Sequence, residues 1–191
     1  MTITAVLAYL LIICYFIIER LLRKGEKALS LQTGDSDHGS SIVIWISGLF
    51  SITLALLAPV LNAYQIGYWN SAHIPWIGVS IMLGGLSLRY SAAKALGEFY
   101  TRTLQTIEGQ SIIDRAPYSF IRHPGYLGTF FMEIGAGLAI ANWIVLAILV
   151  IVGMCSRAYR IQVEEAMLKA EFGNQYHIYS DKTWKLIPFI Y

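Results

Sequence analysis

The chain has 191 residues, of which 56% are apolar and only 14% are charged. A typical soluble domain carries about 45–50% apolar and about 25% charged residues. Together with a mean hydropathy of +0.56, this composition excludes a soluble globular enzyme, a disordered chain and a nucleic-acid-binding protein. The net charge of +2 is too small to indicate a polyanionic partner.

Three apolar runs in the N-terminal half predict membrane-spanning helices. They cover residues 3–18, 42–61 and 74 to about 90. The first run lacks a preceding basic segment and a following small-residue cleavage site, so we interpret it as a retained helix rather than a signal peptide. The third run is rich in small residues, which let helices approach closely in lipid: Gly78, Ser80, Gly84, Gly85 and Ser87.

An apolar stretch from Tyr126 to Cys155 predicts the fourth and fifth spans. One helix of that length would be too long for the bilayer. Two helices that turn at Asn142 fit better, with Trp143 at the membrane interface, where tryptophan is enriched. The sequence therefore predicts a helical hairpin over residues 124–157.

The basic residues orient this arrangement. With five spans, all 14 lysines and arginines fall on one side of the membrane. The positive-inside rule makes that side cytoplasmic and places the N-terminus outside. We therefore expect an all-α, multi-pass membrane bundle in a single domain, residues 1–191. Residues 1–91 would supply three spans, and residues 92–191 a catalytic half with the hairpin and a C-terminal cytoplasmic helix.

The two cysteines and the polar loop of residues 32–41 carry little chemistry. Cys14 and Cys155 lie in apolar runs and are predicted to be small buried hydrophobes. The sequence has no Cys-x-x-Cys pair and no Cys/His metal spacing, which predicts neither a disulfide framework nor a metal site. His38 is interpreted as a solvated loop residue.

The segment that leads into the fourth helix has two interpretations. His123 precedes a proline and should be extended, so the helix is predicted to begin at Pro124. Its open N–H groups would then form a site for a carboxylate or a phosphate at the cytoplasmic surface. The alternative is an interfacial helix start whose Arg122 meets lipid phosphate.

The fifth helix should continue into the cytoplasm and stop at Gly173. Arg160 and Glu164 are four residues apart and share a face, which by itself predicts an ordinary surface ion pair. The adjacent Glu165 points in another direction, so one of the two carboxylates could face inward. Glu133, inside the fourth helix, could bind a polar substrate group or a cationic cofactor, or could be a bundle-facing carboxyl bonded to a neighbouring helix.

Two polar segments recur together around the hairpin. The first contains Gln110, Ser111, Ile112, Ile113, Tyr118, Arg122, His123, Pro124, Gly125 and Tyr126. The second contains Arg160, Ile161, Gln162, Val163, Glu164, Glu165, Phe172, Gly173, Tyr176, Tyr179, Ile187 and Pro188. In order, spacing and intervening hairpin, this C-terminal half resembles the isoprenylcysteine carboxyl methyltransferase family of integral membrane enzymes. It departs at Ala116, where the family commonly has glycine, and at Gln110, where it often has histidine.

The resemblance implies S-adenosylmethionine as the methyl donor, held in a cytoplasmic pocket. It assigns cofactor contacts to Gln110, Ser111, Ile112, Ile113, Tyr118, His123, Pro124, Gly125, Tyr126 and Glu164. It places Arg160 against the methyl-accepting carboxylate, which makes Arg160 and Glu164 the predicted catalytic residues. The implied partners are a lipophilic or prenylated acceptor and membrane lipids, with no nucleic acid and no metal. A further upstream contact stays open between Thr103 and Gln105.

Physical chemistry agrees with these implied roles. The donor's carboxylate could rest on the N–H groups at the start of the fourth helix, and Tyr118 and Tyr126 could offer ring faces to its sulfonium. Glu164 could pair with its ammonium group, and Arg160 could hold an acceptor carboxylate in a two-pronged fork. A carboxylate acceptor is anionic at neutral pH and needs no general base.

Three other functions would fit parts of the sequence. A phospholipid N-methyltransferase would keep the donor, but Arg160 would be a poor neighbour for an amine acceptor. An NADPH-dependent membrane reductase is suggested because sterol and steroid reductases share an Arg-His-Pro-x-Tyr element; Glu164, Glu165 and the following Phe-Gly-x-x-Tyr favour the methyltransferase. A non-catalytic membrane scaffold would explain the helices but not the two recurring polar segments.

Overall fold

The regular secondary structure in the described part of the chain is helical. The computed structural model describes residues 2–23, 37–100 and 111–189. Within those ranges it contains six α-helices, one short 3₁₀ turn (Gly97–Phe99) and no β-strand beyond two isolated bridges. The α-helices are α1 (Ile3–Leu22), α2 (Ser40–Ala63), α3 (Ile74–Leu96), α4 (Pro124–Ala139), α5 (Trp143–Phe172) and α6 (Asn174–Ser180).

Helix boundaries follow the local chemistry of the sequence. Helix α4 begins at Pro124, as predicted, because proline fits the first helical position, where no N–H needs an acceptor. Helix α5 ends at Phe172, and Gly173 follows with a positive φ of 50°. The first and third helices both extend beyond the predicted apolar runs, to Leu22 and Leu96.

The hairpin turn predicted at Asn142 is confirmed. Asn142 is fully buried, and its Oδ1 caps α5 by accepting the Val145 N–H at 2.9 Å. Its Nδ2 donates to Asn62 Oδ1 at 2.7 Å and to the Ile66 carbonyl at 2.8 Å. One side chain therefore ties the α4–α5 turn to the connection between α2 and α3.

Helices α3 and α4 pack with their backbones almost in contact. A Cβ on Gly85 would lie 2.5 Å from the Gly128 carbonyl oxygen, and one on Gly78 would lie 2.6 Å from that of Gly135. The small residues predicted to allow close packing therefore do so at Gly78 and Gly85. Gly84 lies on another face of α3, since a Cβ at this position would contact nothing within 4 Å.

Three helices, α1, α2 and α5, are long and apolar enough to span a membrane, among the described residues. Helix α4 has only 16 residues, and small residues and Arg89 dilute the apolar content of α3. The outer faces are apolar: Ile46, Leu49 and Leu56 of α2 are each at least 60% exposed. The prediction that the two cysteines are buried was wrong, because Cys14 and Cys155 also lie on these exposed faces. The protein is an integral membrane protein.

Candidate active site

A cavity of about 840 Å³ opens between the helices. Its lining includes most of the residues predicted from the sequence: Ser111, Ile112, Ile113, Tyr118, His123, Gly125, Tyr126, Arg160 and Glu164. Pro124 is buried at the start of α4 behind this lining. Gln110 lies outside the described residues, as do Thr103 and Gln105. The two polar segments therefore meet in one space, although 34 residues separate Tyr126 from Arg160.

The C-terminal tail, residues 181–189 after α6, fixes the chain just before α4. The N–H groups of Arg122 and His123 donate to the carbonyls of Trp184 and Lys185, at 2.8 and 3.2 Å. The Arg122 guanidinium donates to Glu165 Oε1 at 2.8 Å and to the carbonyls of Ser180 and Thr183. Arg122 thus holds the tail against α5, and the sequence alternative in which it meets lipid phosphate does not describe this geometry.

His123 is buried beside both carboxylates of α5. It is 4% exposed, its ring stacks on Tyr126 at 5.7 Å, and its Nε2 lies 3.4 Å from Glu165 Oε1. Glu165 therefore belongs to a structural cluster with Arg122 and His123. Glu164 is the carboxylate that lines the cavity, in agreement with the expectation that one of the pair faces inward.

Tyr126 stands between the two residues predicted to do the chemistry. Its hydroxyl donates to Glu164 Oε2 at 2.6 Å and accepts from Arg160 Nε at 3.0 Å. Arg160 and Glu164 make no direct ion pair among those found in the described residues. The surface pair that their spacing predicts is therefore replaced by a bridge through one hydroxyl.

Arg160 has a second set of partners at the start of α2. Its Nη1 lies 2.8 Å from Asp37 Oδ1 and from the hydroxyls of Ser40 and Ser41. Asp37 is only 2% exposed. Burial opposes its ionisation, but hydrogen bonds from Ser41 and Ser40 and the charge of Arg160 outweigh that effect and lower its pKa. The sequence offered no signal for this pair, which joins residues 123 positions apart.

Glu133 faces the bundle and pairs with Arg157. The two carboxylate oxygens lie 2.8 and 2.9 Å from Nη1 and Nη2 of Arg157, a two-pronged geometry that favours charged partners. Gly153 makes room for the pair, since a Cβ there would clash with Glu133 Oε2. Of the alternatives for Glu133, the structure shows the carboxyl bonded to a neighbouring helix.

A second charged cluster that sequence reasoning missed lines the same cavity. Glu19 of α1 accepts from Arg89 of α3 at 2.8 and 3.2 Å, from Tyr100 at 2.5 Å and from Arg23 at 2.5 Å. The cluster joins the cytoplasm-proximal ends predicted for α1 and α3. Its only sequence signal was that Glu19 and Arg89 sit at the ends of apolar runs.

Two aromatic residues of α6 line the polar end of the cavity. The Tyr179 hydroxyl donates to the Tyr118 carbonyl at 2.8 Å. Tyr176 is 2% exposed, and its ring packs edge-on against the ring of Tyr179. Burial raises the pKa of Tyr118, and it raises the pKa of Tyr179 to about 12. Both phenols therefore stay neutral over the physiological range and act as packing and hydrogen-bonding groups.

The lining of the cavity combines charged groups with apolar side chains. Within the described ranges, no group of three or more histidine, cysteine or acidic side chains is arranged to hold a metal ion. The cavity is lined by several carboxylates and arginines, by phenol rings and by apolar side chains. Such a set can bind an amphipathic molecule that carries both a positive and a negative group.

Comparisons with known proteins point to one family. Residues 76–170 match the model of the isoprenylcysteine carboxyl methyltransferase (ICMT) family. A protein-S-isoprenylcysteine O-methyltransferase B of Arabidopsis thaliana is 28% identical over 80% of this chain and 82% of its own length. The Tribolium castaneum protein-S-isoprenylcysteine O-methyltransferase is 28% identical over 60% of this chain.

The fold also matches a solved structure. The eukaryotic intramembrane Ras methyltransferase ICMT aligns with a TM-score of 0.62 and 25% identity, over 77% of this chain. This chain spans 41% of the length of the Tribolium protein and 52% of the solved chain. The residues that match the family model, 76–170, include most of α3, the turn between α4 and α5, and both Arg160 and Glu164. By sequence and by fold, the chain belongs to the isoprenylcysteine carboxyl methyltransferase family.

Proposed function

We propose that this protein is a membrane methyltransferase that uses S-adenosylmethionine to methylate the carboxylate of a lipophilic, isoprenylcysteine-like acceptor. One observation carries the proposal. The cavity that holds Tyr126, Arg160 and Glu164 continues between apolar side chains of α1 and α2, including Ile12, Phe16, Ile44, Leu49 and Ile52. A single space thus offers polar groups at one end and a lipid-like wall at the other.

The polar end fits the methyl donor. S-adenosylmethionine carries an ammonium group, a carboxylate and a sulfonium. Glu164 supplies a carboxylate for the ammonium, the start of α4 supplies an uncapped helix N-terminus for the carboxylate, and Tyr118 and Tyr126 supply ring faces. A volume of about 840 Å³ lies within the roughly 300–1,000 Å³ range of small-molecule sites, with room for part of an acceptor.

Arg160 would orient the acceptor. Its Nε and Nη1 are already bonded to Tyr126 and Asp37, so a two-pronged fork on an acceptor carboxylate would need one of these bonds to be released. Nη2 has no hydrogen-bond partner among the described residues and offers a single charge-assisted contact. Guanidinium positioned in this way favours an anionic acceptor over an amine.

The residues would act by positioning and by excluding water. S-adenosylmethionine supplies an electrophilic methyl group when it is bound. Arg160 would hold the acceptor carboxylate, and Glu164 would hold the ammonium end of the donor, so that both are positioned in one cavity. The buried side chains of His123 and Tyr176 close the site against solvent. No side chain has to remove a proton, because the acceptor is already ionised at neutral pH.

The membrane arrangement is part of the proposal. In the five-span arrangement, α3 with 23 residues and α4 with 16 residues would also cross the membrane, packed against each other through glycine. Among the described residues, only α1, α2 and α5 meet the length and composition of a span. The Asn142 turn and the α2–α3 connection lie together, and the Arg160, Glu164 and Glu19 clusters lie at the opposite helix ends. This grouping supports one cytoplasmic catalytic face, an outside N-terminus and a single domain.

A methyl-transfer assay on purified protein would test the function. We expect incorporation of labelled methyl into a lipophilic S-prenylated cysteine carboxylate as a base-labile ester. Label on lipid headgroup amines would favour the phospholipid N-methyltransferase, and binding of NADPH without S-adenosylmethionine would favour the reductase. If folded protein binds neither S-adenosylmethionine nor NADPH, the result would favour the non-catalytic scaffold.

A further inference from the structure

Arg160 and Glu164 do not pair with each other, although their spacing favours it. Residues four apart on a helix are neighbours, and an arginine and a glutamate at that spacing attract each other. In this structure the carboxylate partner of Arg160 is Asp37, at 2.8 Å, while Glu164 accepts from Tyr126 at 2.6 Å. An opposing attraction must therefore hold the arginine away from the glutamate.

We propose that Asp37 is a positioning residue that holds Arg160 away from Glu164 and so keeps the Glu164 carboxylate free for the cationic methyl donor. The inference rests on the proposed function, in which Glu164 pairs with the donor's ammonium group. Asp37 does not line the cavity and would act only through Arg160.

The surroundings of Asp37 make it a firm anchor. Its Oδ1 accepts from the hydroxyls of Ser40 and Ser41 at 3.0 and 2.8 Å, and its Oδ2 accepts the Ser41 N–H at 3.2 Å. The carboxylate is thus held at the first turn of α2 independently of Arg160. The same two hydroxyls also contact Arg160 Nη1, so this end of the guanidinium is held by the Asp37 carboxylate and by both hydroxyls.

Glu164 is the carboxylate that Arg160 would reach without Asp37. The nearby Glu133 is held by Arg157 and Glu165 by Arg122. Within the part of the chain that the structure describes, Glu164 is contacted by the Tyr126 hydroxyl and lies 4.0 Å from His123 Nδ1, with no arginine or lysine paired to it. A buried guanidinium without its counter-charge strongly favours a new partner. A direct Arg160–Glu164 pair would then compete with the ammonium group for the same carboxylate.

Four proteins carry the test: the wild type, Asp37→Asn, Arg160→Gln and the double variant. Binding of S-adenosylmethionine and of S-adenosylhomocysteine to detergent-purified protein is measured by titration calorimetry. Asp37→Asn should weaken binding about tenfold, as for loss of one charge-assisted contact. Arg160→Gln should bind at least as well as the wild type, and the double variant should return to within about twofold of Arg160→Gln. The matched control Asp181→Asn, which removes an exposed carboxylate, should bind as the wild type does.

The rescue separates positioning from a purely structural role. If Asp37→Asn binds like the wild type, or if removal of Arg160 does not restore binding in the double variant, the inference is overturned. A wild type that binds neither compound instead contradicts the proposed function. Thermal unfolding in detergent checks that each variant is folded. If Asp37→Asn does not fold, Asp37→Glu takes its place as the single variant and should bind both compounds as tightly as the wild type. The double variant should still bind them as tightly as Arg160→Gln. Weaker binding by either protein overturns the inference.

Discussion

Replacement of Glu164 by glutamine removes one negative charge from the cavity and little else. Glutamine keeps the size of the side chain, and its carbonyl oxygen can still accept the hydrogen bond from the Tyr126 hydroxyl, which spans 2.6 Å in the wild type. The fold should therefore be unaffected. What is lost is the charge that we assign to the ammonium group of S-adenosylmethionine.

The size of the effect follows from the contact and its exposure. A hydrogen bond between charged groups contributes about 1.5–3 kcal/mol. The Glu164 side chain is 23% exposed, so solvent screens part of the attraction and the lower end of that range applies. A loss of about 1.5 kcal/mol corresponds to a dissociation constant raised about tenfold.

Calorimetric titration of S-adenosylhomocysteine into detergent-purified protein would measure this change. The matched control is Glu171→Gln, which removes an exposed carboxylate from the end of the same helix and should bind like the wild type. Equal affinities for Glu164→Gln and the wild type, with both proteins folded, would refute the assignment of Glu164 to the donor.

Three further predictions concern the scaffold of the site. Gly85→Ala should lower the free energy of unfolding by about 1–3 kcal/mol, because the new Cβ would clash with the Gly128 carbonyl, whereas Gly84→Ala should not destabilise the protein; thermal unfolding in detergent compares the two. Asn142→Ala should cost about 2–4 kcal/mol, since it removes a helix cap and two buried hydrogen bonds, and an unchanged unfolding midpoint would contradict this. Arg122→Gln should free the C-terminal tail and speed amide exchange at Trp184 about tenfold, whereas unchanged exchange would show that other contacts hold the tail.

Local chemistry allowed the helix ends to be predicted from the sequence. Pro124 and Gly173 restrict the backbone wherever they occur, and Asn142 interrupts a long apolar run with a capping side chain. Each signal lies within a few residues of the boundary that it sets. The close packing at Gly85 followed for a similar reason, although the sequence did not tell it apart from Gly84, which lies on another face.

Long-range charge pairing could not be read from the sequence. Asp37 reaches Arg160 across 123 residues, and Glu19 reaches Arg89 across 70. Pairs of this kind depend on how α2 docks against α5 and how α1 docks against α3, and the periodicity of each helix carries no information about that docking. The expected ion pair between Arg160 and Glu164 failed for the same reason, because a distant carboxylate competes for the arginine. The resemblance, in contrast, named residues that the structure brings together in one cavity around Tyr126.

The most direct test of the account is transfer of labelled methyl from S-adenosylmethionine to a panel of acceptors by the wild-type protein and Arg160→Gln. The panel holds lipophilic carboxylates, thiols, amines and phospholipids. We predict a base-labile methyl ester on a prenylated cysteine carboxylate, formed by the wild type and strongly reduced in Arg160→Gln. Labelled amines or thiols without any labelled carboxylate would contradict the account.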